Sequence, residues 1–167
     1  MPQAVTHILL TIIVLDLFRD YVLKNKRIMP LHFIFLGGVA GLLPDIDIPI
    51  YWMLKNVLGL NVSWFHGTIT HTVWIPIILA IAAAALFWHK RNAAVLLWVI
   101  SFGLFFHIFL DLVLRGVIMP FWPLSSWTMT GIMANSGIAY WDFGLDAIIL
   151  LAWLWHEEKM HKISDFI

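Results

Sequence analysis

The sequence predicts an all-α, polytopic membrane helical bundle of about five transmembrane or partly re-entrant helices, and three observations carry that prediction. Of its 167 residues 62% are hydrophobic and 12% charged, with a mean hydropathy of +0.90, whereas soluble domains hold about 45–50% apolar and about 25% charged residues. The apolar residues gather in five stretches close to the roughly 20 residues a helix needs to cross a bilayer core. Basic segments then alternate with segments poor in positive charge, as loops on opposite sides of a membrane do.

The stretches run at about 4–23, 29–48, 72–88, 93–117 and 139–156. The first carries His7 and Asp16 and lacks the basic lead and small-residue cleavage site of a signal peptide, so it reads as a resident helix. The second ends in "LLPDIDIP"; like the first it contains polar residues, which admits a tilted or re-entrant course. The third, "TVWIPIILAIAAAALFW", holds no charge. The fourth contains His107 and Asp111, and the fifth opens on "YWDFGLD" with Asp142. "KNKR", "HKRN" and "HEEKMHK" are the basic segments. They put Lys24, Lys26, Arg27, Lys90, Arg91, Lys159 and Lys162 in the cytoplasm and leave Lys55 and Arg115 opposite, so the N-terminus is expected outside the cytoplasmic membrane and the C-terminus inside. With no linker or repeat, residues 1–167 read as a single integral membrane domain.

Composition also excludes classes of function. A net charge of zero provides no basic face for nucleic acid. The absence of Cys excludes disulfides and thiolate metal sites, and leaves His and carboxylate as the strong ligands. The ten Trp suit membrane-interface belts, while the alanines at 82–85 and the Met residues suit helix packing.

The expected topology gathers a set of polar residues at the external end: His7, Asp45, Asp47, His66, His71, His107, Asp111 and Asp142. His107 lies about 21 Å along its helix from Ala93, at about 1.5 Å per residue, and Asp111 one turn beyond it on the same face. Asp45 and Asp47, between Pro44 and Pro49, would point to one side of an extended segment. His32, His89, His156 and His161 fall at the cytoplasmic end. Asp16 is about 13 Å from His7 along a helix, too far to share an ion, and Arg19 and Asp20 read as solvated interface charges.

Each piece has a plain reading by itself: a hydrogen-bonded His–Asp pair, two helix-capping aspartates, or loop histidines beside capping Thr68 and Thr70. Their convergence from independent segments, and the roughly 2.5–3.5 kcal/mol that an Asp costs in mid-membrane, favour a functional cluster. Imidazole and carboxylate suit zinc, and also manganese or iron. The donors exceed the needs of one tetrahedral ion, so two or three divalent ions are expected. Asp45 or Asp47 would orient or deprotonate water, and Thr70 would orient an imidazole.

"LLPDIDIP", "H-x-x-x-T-H-T" at 66–72, and "HIFLD" followed by "FWP" at 121–123, with the early His7, resemble the YdjM-type family of inner-membrane-associated metal-dependent hydrolases over about residues 4–125. Ile48, Gly67, Thr68, Thr72 and Leu114 depart from the His, Arg, Gly, Ser and Thr usual there; Lys55 or Arg115 would have to replace the arginine as an anion contact. The family is distantly similar to zinc-dependent phospholipase C and P1 nuclease. Together, residues and resemblance imply a membrane-bound metal-dependent hydrolase that cleaves a phosphoester of a lipid or lipid-linked phosphate at the outer membrane face. The alternatives are a divalent-metal transporter, which would place ligands near the midplane, and a non-catalytic membrane protein whose structural metal has a closed shell.

Overall fold

The computed structural model describes residues 4–60, 66–114, 117–132 and 142–161, apart from the side chains of 142–146 and 161. Helices dominate the fold. α1 (Ala4–Leu17) runs on into a π-helical segment, Phe18–Leu23, closed by a bond from Lys24 N–H to the Arg19 carbonyl and by Lys24 in the left-handed conformation. α2 (Leu31–Ala40) starts after Pro30, and a 3₁₀ turn (Leu43–Ile46) leads into α3 (Asp47–Leu58). α4 (Trp74–Leu86) and α5 (Arg91–Val113) form a closely packed hairpin, tied by Ser101 Oγ donating to the Pro76 carbonyl at 2.7 Å. β1 (Val117–Ile118) pairs antiparallel with β2 (Met129–Thr130), and α6 (Asp142–His161) packs on α1. The all-α class stands, with one two-residue ribbon added.

The number of spans differs from the expected five. Among the described residues α5 is the one helix long and apolar enough to cross a membrane unbroken; α2 with Leu43–Leu58 qualifies only as a pair bent by 47°, and α4 is apolar but shorter. The second apolar stretch breaks because Gly41 and Pro44 interrupt it. Its aspartates are a second correction: Asp45 lies in the 3₁₀ turn and Asp47 opens α3, so neither is in extended backbone. Pro44 and Pro49 each occupy a first turn, where a missing N–H breaks no bond and a fixed φ favours helix. They start helical turns here, and the two carboxylates are aimed differently.

Apolar packing occupies one half of the bundle, where Ile12 and Leu15 of α1 meet Met29, Ile34 and Val99. In the other half three helices approach at glycines. A methyl group on Gly103 of α5 would run into the Gly37 carbonyl and lie 3.0 Å from the Gly41 nitrogen. Only glycine lets the α2 and α5 backbones come so close. Arg19 corrects another expectation: 5% exposed, it is paired with Asp16 and, at 2.7 Å, with Asp20. The π-helical turn draws its guanidinium inwards, which supplies the buried Asp16 with a partner.

Candidate metal centre

Five segments deliver the cluster. α1 contributes His7, the 3₁₀ turn Asp45, the start of α3 Asp47, the 66–71 turn His66 and His71, and α5 both His107 and Asp111. His7, Asp47, His71 and His107 are 0% exposed and Asp111 2%; the His66 side chain, at 30%, is the exposed margin.

The centre is a triangle of three atoms. His71 Nε2 and His107 Nε2 stand 3.3 Å apart, and Asp111 Oδ2 is 3.4 Å from each. Hydrogen bonding fixes what these atoms present. His107 Nδ1 lies 2.7 Å from the Gly41 carbonyl, which can only accept, so Nδ1 carries the proton and Nε2 a lone pair. The Thr70 hydroxyl donates to Asp47 Oδ2 at 2.6 Å and so accepts from His71 Nδ1 at 2.9 Å, which leaves His71 Nε2 with a lone pair as well. Two lone pairs and a carboxylate oxygen thus converge in a buried space. Charge-assisted hydrogen bonds run at about 2.7–2.9 Å, shorter than these edges. A tetrahedral ion with ligands at about 2.0–2.1 Å sets its ligand atoms about 3.3–3.4 Å apart. The triangle matches the second spacing.

Further donors surround it. Asp45 Oδ1 is 3.6 Å from His71 Nε2 and 3.7 Å from His107 Nε2. His7 stacks on the His107 ring with centroids 4.0 Å apart, and its Nε2 is 3.6 Å from Asp111 Oδ1. Both ring nitrogens of His7, Asp45 Oδ1 and Asp111 Oδ1 are buried without a hydrogen-bond partner. Such orphaned atoms are costly unless something else satisfies them, and all four are metal-ligating types. Three ligand groups result: His7, Asp45 and His107; Asp45, His66 and His71; and His71, His107 and Asp111, each with ligand atoms within 4.8 Å of one another. The residues therefore fit a divalent ion.

Asp47 stands apart from these groups. Its Oδ1 accepts from His66 Nδ1 at 2.8 Å and its Oδ2 from Thr70, so one buried carboxylate aligns His66 directly and His71 through Thr70. That hydrogen bond also holds the His66 imidazolium above the ordinary 6.5, despite partial burial. Cation binding at His66 must displace this proton.

Gly67 explains one departure noted in the sequence. Its φ is +77°, and a Cβ there would stand 2.6 Å from the Val117 carbonyl oxygen; Met119 N–H donates to the Gly67 carbonyl and Val73 N–H to that of Pro120. The 117–120 strap covers this position and leaves no room for a larger side chain. Among the described residues, Lys55 and His156 lie away from the cluster. Lys55 lies towards the far end of α3 with its ammonium 5.8 Å from the Tyr51 ring. Arg115 and the Asp142 side chain lie outside the described residues. His156 instead meets Tyr21 at 2.9 Å. Sequence reasoning missed the Gly41 carbonyl, a backbone acceptor without any side-chain signal.

A helical chain with a buried His–Asp centre and extensive exposed apolar surface defines the class as a membrane-associated α-helical protein. The chain belongs to the YdjM inner membrane protein family, whose family model matches residues 1–164. No curated protein and no solved structure matches it.

Proposed function

We propose that the protein is a multi-pass, membrane-bound, metal-dependent phosphohydrolase acting on a lipid or lipid-linked phosphate. The carrying observation is the triangle of His71 Nε2, His107 Nε2 and Asp111 Oδ2, three acceptors aimed at one point with edges of 3.3–3.4 Å. Zinc is the first candidate on ligand type and manganese the second. Donor arithmetic limits the centre to one or two ions, not three. His71 and His107 each have one nitrogen to give, because Thr70 and Gly41 occupy the others. Either both nitrogens serve one ion at the triangle, or they are divided between two ions in the triads that contain His7 and His66.

A divalent ion held there would make water nucleophilic at neutral pH and neutralise phosphoryl oxygens. The chain's own residues do the rest. Asp45, at the margin of the cluster with Oδ1 unpartnered, orients the attacking water and takes its proton. Asp47, with both oxygens engaged, is a positioning residue, and Thr70 transmits that positioning to His71. His66 is the exposed edge of the cluster, and its partner Asp47 is flanked in sequence by the exposed Ile46 and Ile48, apolar neighbours suited to a lipid. Charge distribution puts the N-terminus outside, and the whole chain forms one membrane domain in which the first and second apolar stretches are tilted or partly re-entrant. Near-complete burial of His7, His71 and His107 favours the competing reading of a structural ion.

The test is phosphate or head-group release from phospholipids and lipid-linked phosphates by reconstituted protein loaded with zinc or manganese. Turnover is expected, with Asp45→Asn inactive while still folded. Fully loaded protein that turns over none of these substrates would favour the structural ion.

A further inference from the structure

At the other end of α5 a groove of about 590 Å³ opens between α1, the π-helical segment and the α4–α5 hairpin. Its floor includes Leu15, Met29 and Val99, and Phe87, Trp88 and Trp98 also line it. Arg91 is its one charged lining residue. From Arg91 to Phe102 the groove follows α5 for about 16 Å, at about 1.5 Å per residue. That is the depth of one leaflet in a hydrocarbon core about 30 Å thick.

We infer that this groove binds one anionic phospholipid, with an acyl chain along its floor and the phosphate held by Arg91. Length suits the chain: the groove runs along α5 about as far as an acyl chain reaches into one leaflet. Chemistry selects it too, because walls this apolar offer no partners to the N–H and C=O groups of an extended peptide. The mouth selects the head group. The Arg91 guanidinium lies 5.9 Å from the Phe87 ring, which covers one face and leaves its N–H donors for an anion. Arg19 is spent on two aspartates, whereas among the described residues no carboxylate pairs with Arg91. Lys90 adds a second positive charge beside it, and Trp88, 86% exposed, sits as an interfacial anchor would. Arg91 is about 24 Å along α5 from His107, so the site is independent of the metal centre and of the proposed hydrolysis.

Native mass spectrometry of the detergent-purified chain, titrated with dioleoyl phosphatidylglycerol or dioleoyl phosphatidylcholine, tests this. The expected result is one tightly held phosphatidylglycerol per chain, in preference to phosphatidylcholine. Arg91→Gln, an exposed change that leaves the fold intact, should cost about tenfold in phosphatidylglycerol affinity, the worth of one charge-assisted contact, and abolish the preference. Val95→Trp, which fills the groove, should release both lipids, with thermal unfolding confirming that it is folded. Equal binding of the two lipids, a preference that survives Arg91→Gln, or phosphatidylglycerol retained by folded Val95→Trp would each overturn the proposal.

Discussion

His71 has one nitrogen to give, because Thr70 takes the other, and that dependence is open to experiment. Thr70→Val removes the acceptor of His71 Nδ1 and one partner of the buried Asp47. Supporting residues of this kind typically carry 10–100-fold in metal affinity. Competition against a chromophoric chelator should show a loss of that size for Thr70→Val, and complete loss of the ion for His107→Ala. The sequence marked these residues by type, since histidines and aspartates in apolar stretches stand out. It could not separate Asp45 from Asp47. Their roles depend on a helical turn that sends one carboxylate to the ligand atoms and the other to His66, and the prolines read equally as signs of extended chain. Nor does anything distinguish Gly41 or Gly103 from other glycines until the helices are packed.

At the scale of the elements, the close crossing of α2 and α5 holds the centre together. The bond from His107 Nδ1 to the Gly41 carbonyl exists because Gly103 lets the backbones meet. Gly103→Leu should force them apart. Overpacking usually costs about 1–3 kcal/mol, and here metal affinity should fall as well, seen as a lower Tm that added zinc no longer raises. Gly103→Ala should show the same effects more weakly. The five apolar stretches were legible as helices, because continuous hydropathy needs no tertiary information. Their interruptions were less so. Gly41 and Pro44 bend the second stretch by an amount set by packing, and the third loses its first residues to the turn that carries His66 and His71.

Among the described residues, the molecule buries polar side chains beside its apolar core and exposes many large apolar ones. Thr11, Asp16, Asp47, His71, His107 and Asp111 are buried, while Ile78, Ile81, Trp98, Phe105, Leu151 and Trp155 are exposed. Lipid makes such an arrangement favourable, since apolar side chains gain nothing by leaving it and charges must pair within the bundle. The Asp16–Arg19 pair, beside Glu157 of α6, is a second charged centre. Arg19→Met leaves Asp16 buried and unpaired, and should cost about 3–5 kcal/mol in reversible unfolding in mixed micelles; adding Asp16→Leu should recover most of it. Topology has a direct test as well, because the chain has no Cys. Lys26→Cys should react with a membrane-impermeant maleimide only from the cytoplasmic side and Lys55→Cys only from the other. Labelling of both from one side would contradict the proposed orientation.

The central claim is that the converging imidazole and carboxylate atoms exist to hold divalent metal, and elemental analysis of the detergent-purified chain tests it most directly. Wild type should carry one to two equivalents of zinc or manganese, and His71→Ala and Asp111→Ala, each folded by circular dichroism, should lose them. Wild-type protein that holds no divalent ion after exposure to excess metal would contradict the claim and leave the cluster as a structural or proton-handling network.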